Sequence, residues 1–217
     1  MIIKAKPIPF FIFKWGASFM IWLFRPRFNK LIIKKTAIYA NHSYMLMSNH
    51  IGFWDGFWAC YLSLNGIHES GNIKGFYVMI LEKQLQKNMF LRKFGCFSIA
   101  PGKVSISESL DYAAEVLNKP GNLLLMYPQG NLESQHVRHI VVKEGISEII
   151  HRVTGNCQLI WSSNFVEYFE SFKPSVYFHM MDCGTSKDFQ LQEFSQKINQ
   201  HHYTCMQKQF RFTDEPQ

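Results

Sequence analysis

Short apolar runs and stretches of helical period take turns along most of this 217-residue chain, and that alternation restricts its fold more than any other feature. Tyr44–Met47, Gly75–Leu81, Gly95–Ala100, Leu123–Tyr127, Gln158–Trp161 and Val176–Met180 read as strands. Between them, Glu82–Lys93 carries Leu85, Met89 and Phe90 at helical spacing. Ile106, Leu110, Ala113, Ala114 and Leu117 follow a capping-box pattern, Ser105-Ile106-Ser107-Glu108, and Lys119-Pro120-Gly121 stops that helix. Ile146, Ile149, Ile150 and Val153 mark a helix ended by Gly155, and Asp188 to about Gln209 reads as the last one. Strands alternating with helices predict an α/β fold: a single sandwich domain with a central mixed or largely parallel sheet flanked by helices. The 47% apolar content suits one such core, and no repeat or Ser/Gly-rich linker divides the chain.

In open sheets of this kind the working loops lie beyond the carboxyl ends of strands. Two segments fall there, Ser48–Asp55 and Pro128-Gln129-Gly130. In the first, Asp55 follows His50 by five residues. On a helix at roughly 100° per residue that spacing puts two side chains about 140° apart, so the pair meets only through a turn. Gly52 supplies the turn residue, and Asp55 starts a helix through Phe57, Trp58 and Leu62. A carboxylate on one imidazole nitrogen fixes the tautomer and leaves the other nitrogen free to take a proton from a hydroxyl. The same residues also read more plainly, Asp55 as a helix N-cap and His50 as a loop histidine.

The net charge of +7 lies entirely at the N-terminus. Residues 1–54 hold eight Lys/Arg and no Asp or Glu, leaving 15 of the 23 basic residues against all 16 acidic ones. The basic residues are interleaved with Phe10, Phe11, Phe13, Trp15, Phe19, Trp22 and Phe24. Basic and bulky apolar side chains together suit an anionic membrane surface. Nucleic acid is disfavoured, because phosphate contacts need cations but not this mass of aromatic side chain. Trp15–Phe24 is too short for the roughly 20 residues of a span. No small-x-small cleavage site follows Phe24, so the segment does not read as a leader. Residues 1–35 are therefore expected to form a membrane-interface segment around an amphipathic helix, and residues 36–217 the main domain. Five scattered cysteines without a Cys-x-x-Cys pair argue for reduced thiols and against a zinc site.

The motifs resemble those of the glycerolipid acyltransferase superfamily, the lysophosphatidic-acid-acyltransferase-like enzymes. Asn49, His50 and Asp55 match the family's Asn-His-x4-Asp block. Gly95, Phe97 and Ile99 match part of its second block, with Pro101 where an arginine is expected. Tyr127, Pro128 and Gly130 match part of aromatic-Pro-Glu-Gly-Thr-Arg, with Gln129, Asn131 and Leu132 at the Glu, Thr and Arg positions. Lys143-Glu144-Gly145 fits the Lys-x-Gly that commonly follows, whereas the fourth block, a strand with a proline, has no proline in Leu159-Ile160-Trp161. The resemblance spans roughly residues 40–170.

It implies a transferase that moves a fatty acyl group from acyl-CoA or acyl-carrier protein to a lipid hydroxyl, at the cytoplasmic face of a membrane, without other cofactor or metal. His50 would be the general base and Asp55 its orienting partner, with no acyl-enzyme. Asn49, Gly95, Phe97, Ile99, Lys103, Pro128, Gln129 and Gly130 would bind substrate. For Gly130 a plain turn after a strand is the alternative, and for Lys103 a solvated surface lysine. Both arginines suited to phosphate are absent, which points to a hydroxylated lipid without a glycerol phosphate. A true 1-acylglycerol-3-phosphate acyltransferase using Lys103, and a non-catalytic lipid binder, are the alternatives. His136 and His139 read as surface histidines and His201-His202 as a solvated part of the last helix. No Gly-x-Ser-x-Gly elbow or phosphate-cradling glycine loop is present.

Mixed charge and aromatic character predicts a partial salt effect. Binding to vesicles containing phosphatidylglycerol is expected to weaken between 50 mM and 1 M NaCl without vanishing, because apolar burial is not screened. Complete release in a flotation assay at 1 M would contradict an inserted aromatic helix.

Overall fold

The computed structural model describes residues 2–169 and 171–209. Tyr44, Met45, Leu46 and Met47 have no solvent exposure, so strand β2 (Ser43–Ser48) must be covered on both faces. It lies in the middle of a seven-stranded sheet of order β1-β7-β6-β2-β5-β3-β4. The other strands are β1 (Leu31–Lys34), β3 (Gly75–Leu81), β4 (Cys96–Ile99), β5 (Asn122–Met126), β6 (Cys157–Glu167) and β7 (Ser175–Thr185). All neighbouring pairs are parallel except β6–β7. The fold is the expected single α/β domain with a largely parallel sheet.

The period of two along the strands sorts side chains to two helical layers. Tyr44 and Leu46 pack with Leu123, Leu125, Ile160 and Phe178 beneath α1 (Phe10–Phe24) and α2 (Asp55–Leu62). Met45 and Met47 pack with Leu124, Leu159 and Trp161 beneath α5 (Ile106–Leu117), α6 (Gly145–Ile150) and α7 (Leu191–Gln207). Each such buried side chain contributes about 1.5–3 kcal/mol of transfer free energy. A π turn, Ser63–Ile67, carries α2 on into α3 (His68–Gly71).

Several elements depart from expectation. The helix anticipated over 82–93 is broken: α4 (Glu82–Lys87) ends at Asn88, which leaves helical angles at φ −135°, ψ 58°, and Met89–Phe94 continues as a 3-10 turn. The capping box does not form. The Ser105 side chain makes no cap bond, and Glu108 instead accepts from the Ile2 backbone N–H. β6 runs far past Trp161 through Ser162-Ser163-Asn164, a polar run that can be buried because its members bond internally. Trp161 donates to Ser163, and Ser162 donates to Asn164. His202, expected in solvent, is 1% exposed, and its ring contacts Ser163 Oγ (3.1 Å) and the Val137 carbonyl (3.2 Å).

The N-terminal segment is tied to the domain rather than set apart from it. Ile3 exchanges bonds with Ser98, Lys6 and Ile8 donate to Arg92 and Lys93 carbonyls, and β1 pairs with β7 inside the range given to the interface segment. The polar strip of helix α1 is limited to Lys14 and Ser18. One side packs Phe13, Ala17, Met20 and Phe24 on the domain, and the other exposes Phe11, Trp15, Phe19 and Trp22. No helix among the described residues is long and apolar enough to cross a membrane.

The docking of α7 carries an acid sensitivity. Burial pulls the His179 imidazole down to about 4, with His201, Lys208 and Lys34 adding to it, and lowers His201 and His202 as well. An unfolded imidazole titrates near 6.5, so below that pH the unfolded chain takes up protons that the folded chain refuses. This contribution is whole above about pH 6.5 and is lost as pH falls from there to about 4. The urea midpoint is expected to fall across that window. A midpoint constant down to pH 4 would contradict neutral, buried rings.

Candidate active site

The strand β2 ends at Ser48 and the chain turns at once, reaching α2 at Asp55. The turn folds the carboxylate back on the ring: His50 Nδ1 bonds Asp55 Oδ2, and the same oxygen accepts from the Ile51 (2.9 Å) and Gly52 (3.0 Å) backbone N–H groups. Asp55 is 4% exposed and so held in one position. A carboxylate only accepts, so Nδ1 carries the proton and Nε2 presents its lone pair. No bond to Nε2 is made among the described residues, and the side chain is about a quarter exposed. The tyrosine ring of Tyr127 stacks on the imidazole at 4.1 Å and 18°. Its phenol is pushed well above its ordinary value, first by burial and then by Asp55 and Cys60.

Two side-chain amides continue the sheet's ladder past the point where β2 leaves it. Asn49 Nδ2 donates to the Asn164 carbonyl (2.9 Å) and Asn49 Oδ1 accepts from the Asn164 N–H (2.7 Å), on the β6 side. On the β5 side, Gln129 Oε1 accepts from the His50 N–H (2.9 Å). The His50 carbonyl in turn accepts from the Glu133 N–H (2.8 Å). Asn49 was expected to bind substrate. Both ends of its amide are instead committed to main chain, which makes it a residue that positions His50.

The remaining expected residues separate. Pro128, Gln129 and Gly130 lie beside His50. Pro128 accepts from the Lys143 N–H (3.1 Å), and Gly130 holds φ +69°, with a Cβ there meeting Lys143 Nζ at 2.8 Å. Gly130 is thus a turn glycine that lets the lysine side chain lie across the loop. Gly95, Phe97 and Ile99 do not reach the site. Gly95 precedes β4 at the opposite end of the strand. It holds φ +84°, and a Cβ would strike the Phe76 carbonyl oxygen at 1.9 Å. Phe97 is wholly buried against Tyr112 in the layer under α5, and Ile99 packs into the same layer. Lys103 is 64% exposed and paired with Glu82 at 2.8 Å, beyond β3 and the edge strand β4.

Sequence reasoning missed an apolar cavity of about 430 Å³ that opens beside the histidine loop. Phe53, Trp54, Gly56, Phe57 and Cys60 line it from the α2 side and Phe13, Ala17, Met20 and Phe24 from α1. Phe76, Val78, Phe90 and Cys96 close the far wall. The residues come from four separate parts of the chain, so no local pattern marks them. Lys143, noted only as part of a matching motif, is the cation whose side chain crosses the Gln129-Gly130 loop.

Comparison places this arrangement among known folds. No family model matches the chain, and no curated protein matches it in sequence. Its structure does match the crystal structure of the 1-acyl-sn-glycerophosphate (LPA) acyltransferase PlsC from Thermotoga maritima, with a TM-score of 0.59. The match covers 93% of this chain and 81% of that one at 12% identity. The chain therefore shares the fold of that structure.

The amide clamp makes a direct prediction. Asn49→Ala strands a buried N–H and carbonyl of Asn164, each worth about 1–3 kcal/mol. It is expected to lower the urea-derived stability by about 2–4 kcal/mol. An unchanged midpoint would mean that the clamp carries no load.

Proposed function

We propose that this chain is a membrane-surface O-acyltransferase that moves a fatty acyl group from an acyl thioester to the hydroxyl of a lipid. One observation carries the reading: a proton-accepting histidine, oriented by a buried carboxylate, shares its loop with Phe53 and Trp54, which line an apolar cavity of about 430 Å³. The fold it shares with an LPA acyltransferase supports the same class.

In this reading the acyl chain of acyl-CoA or acyl-carrier protein enters the cavity under α1, leaving its thioester carbonyl at His50. The acceptor hydroxyl attacks the carbonyl carbon while its proton passes to His50 Nε2, and the carbonyl pair moves onto oxygen. Asp55 offsets the charge that grows on the ring. Collapse of the tetrahedral intermediate breaks the carbon–sulfur bond, and the departing sulfur takes the proton back from His50. An ester and a free thiol result. Among the described residues no serine or cysteine bonds His50, so the reading uses direct transfer.

The exposed aromatic side of α1 would enter the bilayer interface, and its far end abuts the histidine loop through Phe24 and Trp54 at 5.6 Å. The exposed tips Phe53, Val104 and Leu132 follow β2, β4 and β5 on the same edge of the sheet. This orientation would hand a membrane-dissolved acceptor to His50 without its leaving the lipid.

For the acceptor, a hydroxylated lipid lacking a glycerol phosphate fits the loss of both arginines and the engagement of Lys103 by Glu82. One observation favours the second reading, a 1-acylglycerol-3-phosphate acceptor: the Lys143 ammonium lies over Gly130, where it can serve as a point charge.

The test is turnover of palmitoyl-CoA and palmitoyl-acyl-carrier protein with a lipid extract, lysophosphatidic acid and monoacylglycerol as acceptors. Wild type is expected to form an acylated lipid, and His50→Ala to lower the rate by about 10³-fold or more while remaining folded. Equal rates for the two proteins, or no product from either, would favour a lipid-binding role without catalysis.

A further inference from the structure

The acyl-transfer reading leaves open what receives the negative charge of the tetrahedral intermediate, and the hydrogen bonds around His50 narrow the choice. The usual donors are main-chain N–H groups. Here those nearest the imidazole are engaged: His50 donates to Gln129, and Ile51 and Gly52 donate to Asp55. Across the site, the Gly130 N–H is held by the Tyr127 carbonyl and the Glu133 N–H by the His50 carbonyl. The Asn49 amide is committed to Asn164. The Tyr127 phenol is deeply buried, its ring stacked on the imidazole, whereas the acyl carbonyl must approach Nε2 from the open side.

Gln129 stands apart. Its orientation is chemically determined, because a backbone N–H can be met only by the amide oxygen, never by the NH2. With Oε1 on the His50 N–H, the Nε2 hydrogens necessarily point away from that bond, and they have no partner among the described residues. The residue is only 6% exposed, so the group is held rather than waving in solvent. Its bond to the His50 N–H, made two residues after the Tyr127 ring that stacks on the imidazole, keeps it beside the histidine.

We infer that the Gln129 side-chain amide is the oxyanion donor of this site: its oxygen holds the His50 backbone while its NH2 donates to the developing alkoxide of the acyl carbonyl. This rests on the acyl-transfer reading. It also gives the Glu-to-Gln departure in the third block a chemical meaning, since a carboxylate fills the first task equally well and repels the anion in the second. In the step itself, the carbonyl pair that moves onto oxygen on attack meets the Nε2–H, and the charge returns to form the ester carbonyl as sulfur leaves. Gln129 neither gains nor loses a proton.

The two tasks separate in one substitution. Gln129→Glu keeps an oxygen for the His50 N–H and replaces only the donor, whereas Gln129→Ala removes both. Full-length wild type, both variants and His50→Ala would be assayed with palmitoyl-CoA in phosphatidylcholine/phosphatidylglycerol vesicles. Thiol release would be followed with lysophosphatidic acid and with monoacylglycerol as acceptors. For Gln129→Glu the expected result is a melting temperature and KM close to wild type and a kcat reduced about 10²–10³-fold. Retention of kcat within threefold would overturn the assignment, and so would a rise in KM at unchanged kcat. A loss of kcat accompanied by the melting shift of Gln129→Ala would assign Gln129 a structural task and overturn it too. Wild-type thiol release no faster than that of His50→Ala would instead bring down the acyl-transfer reading, and this inference with it.

Discussion

Everything at this site hangs on how the His50 backbone is held at the moment it leaves the sheet. A strand that ends in a tight turn abandons its ladder partners, and the exposed N–H and C=O groups must find others. Here the partners are side chains shaped like peptides: the Asn49 amide bonds Asn164 on β6, and the Gln129 amide bonds His50 from the β5 side. The imidazole is thereby anchored to two central strands that are themselves buried on both faces. The Asp55 carboxylate then has only to orient a ring whose base is already fixed, and Tyr127 closes one face of it.

Helix α1 shows how one element meets two demands. Its Phe13 and Ala17 side roofs the core and forms one wall of the cavity, while its Trp15 and Trp22 side remains in the open, at 73% and 70% exposure. A helix face this aromatic would in water normally be covered by another element. The aromatic cluster Phe24, Phe28, Trp54 and Phe57 links this helix to the histidine loop, so the cavity, the exposed face and the site are packed as one body.

Much of the fold was legible because buried parallel strands demand continuous apolar runs, and Met45–Met47 and Leu123–Leu125 are such runs. What escaped reading did so for identifiable reasons. The polar stretch Ser162-Ser163-Asn164 is strand because its side chains bond one another and Asn49, partners that lie far away in the sequence. His202 is buried because Ser163 and Val137 meet it, and β1 exists because β7 offers an edge. Gly95 and Phe97 match a family block yet serve backbone geometry and core packing, so a matched letter did not carry a matched task.

The sequence by itself determined the α/β alternation, the His50–Asp55 spacing that requires a turn, and the crowding of cations and aromatics at one end. Each of these is a local property, set by periodicity, by the reach of a few residues, or by composition. Only the tertiary structure decided that Asn49 clamps rather than binds and that Lys103 is held by Glu82. It alone frees the Gln129 NH2 beside the imidazole and opens an apolar cavity next to the histidine loop. Those outcomes depend on which distant groups reach each side chain, and hydrogen bonds and packed surfaces form between neighbours in space, whatever their separation along the chain.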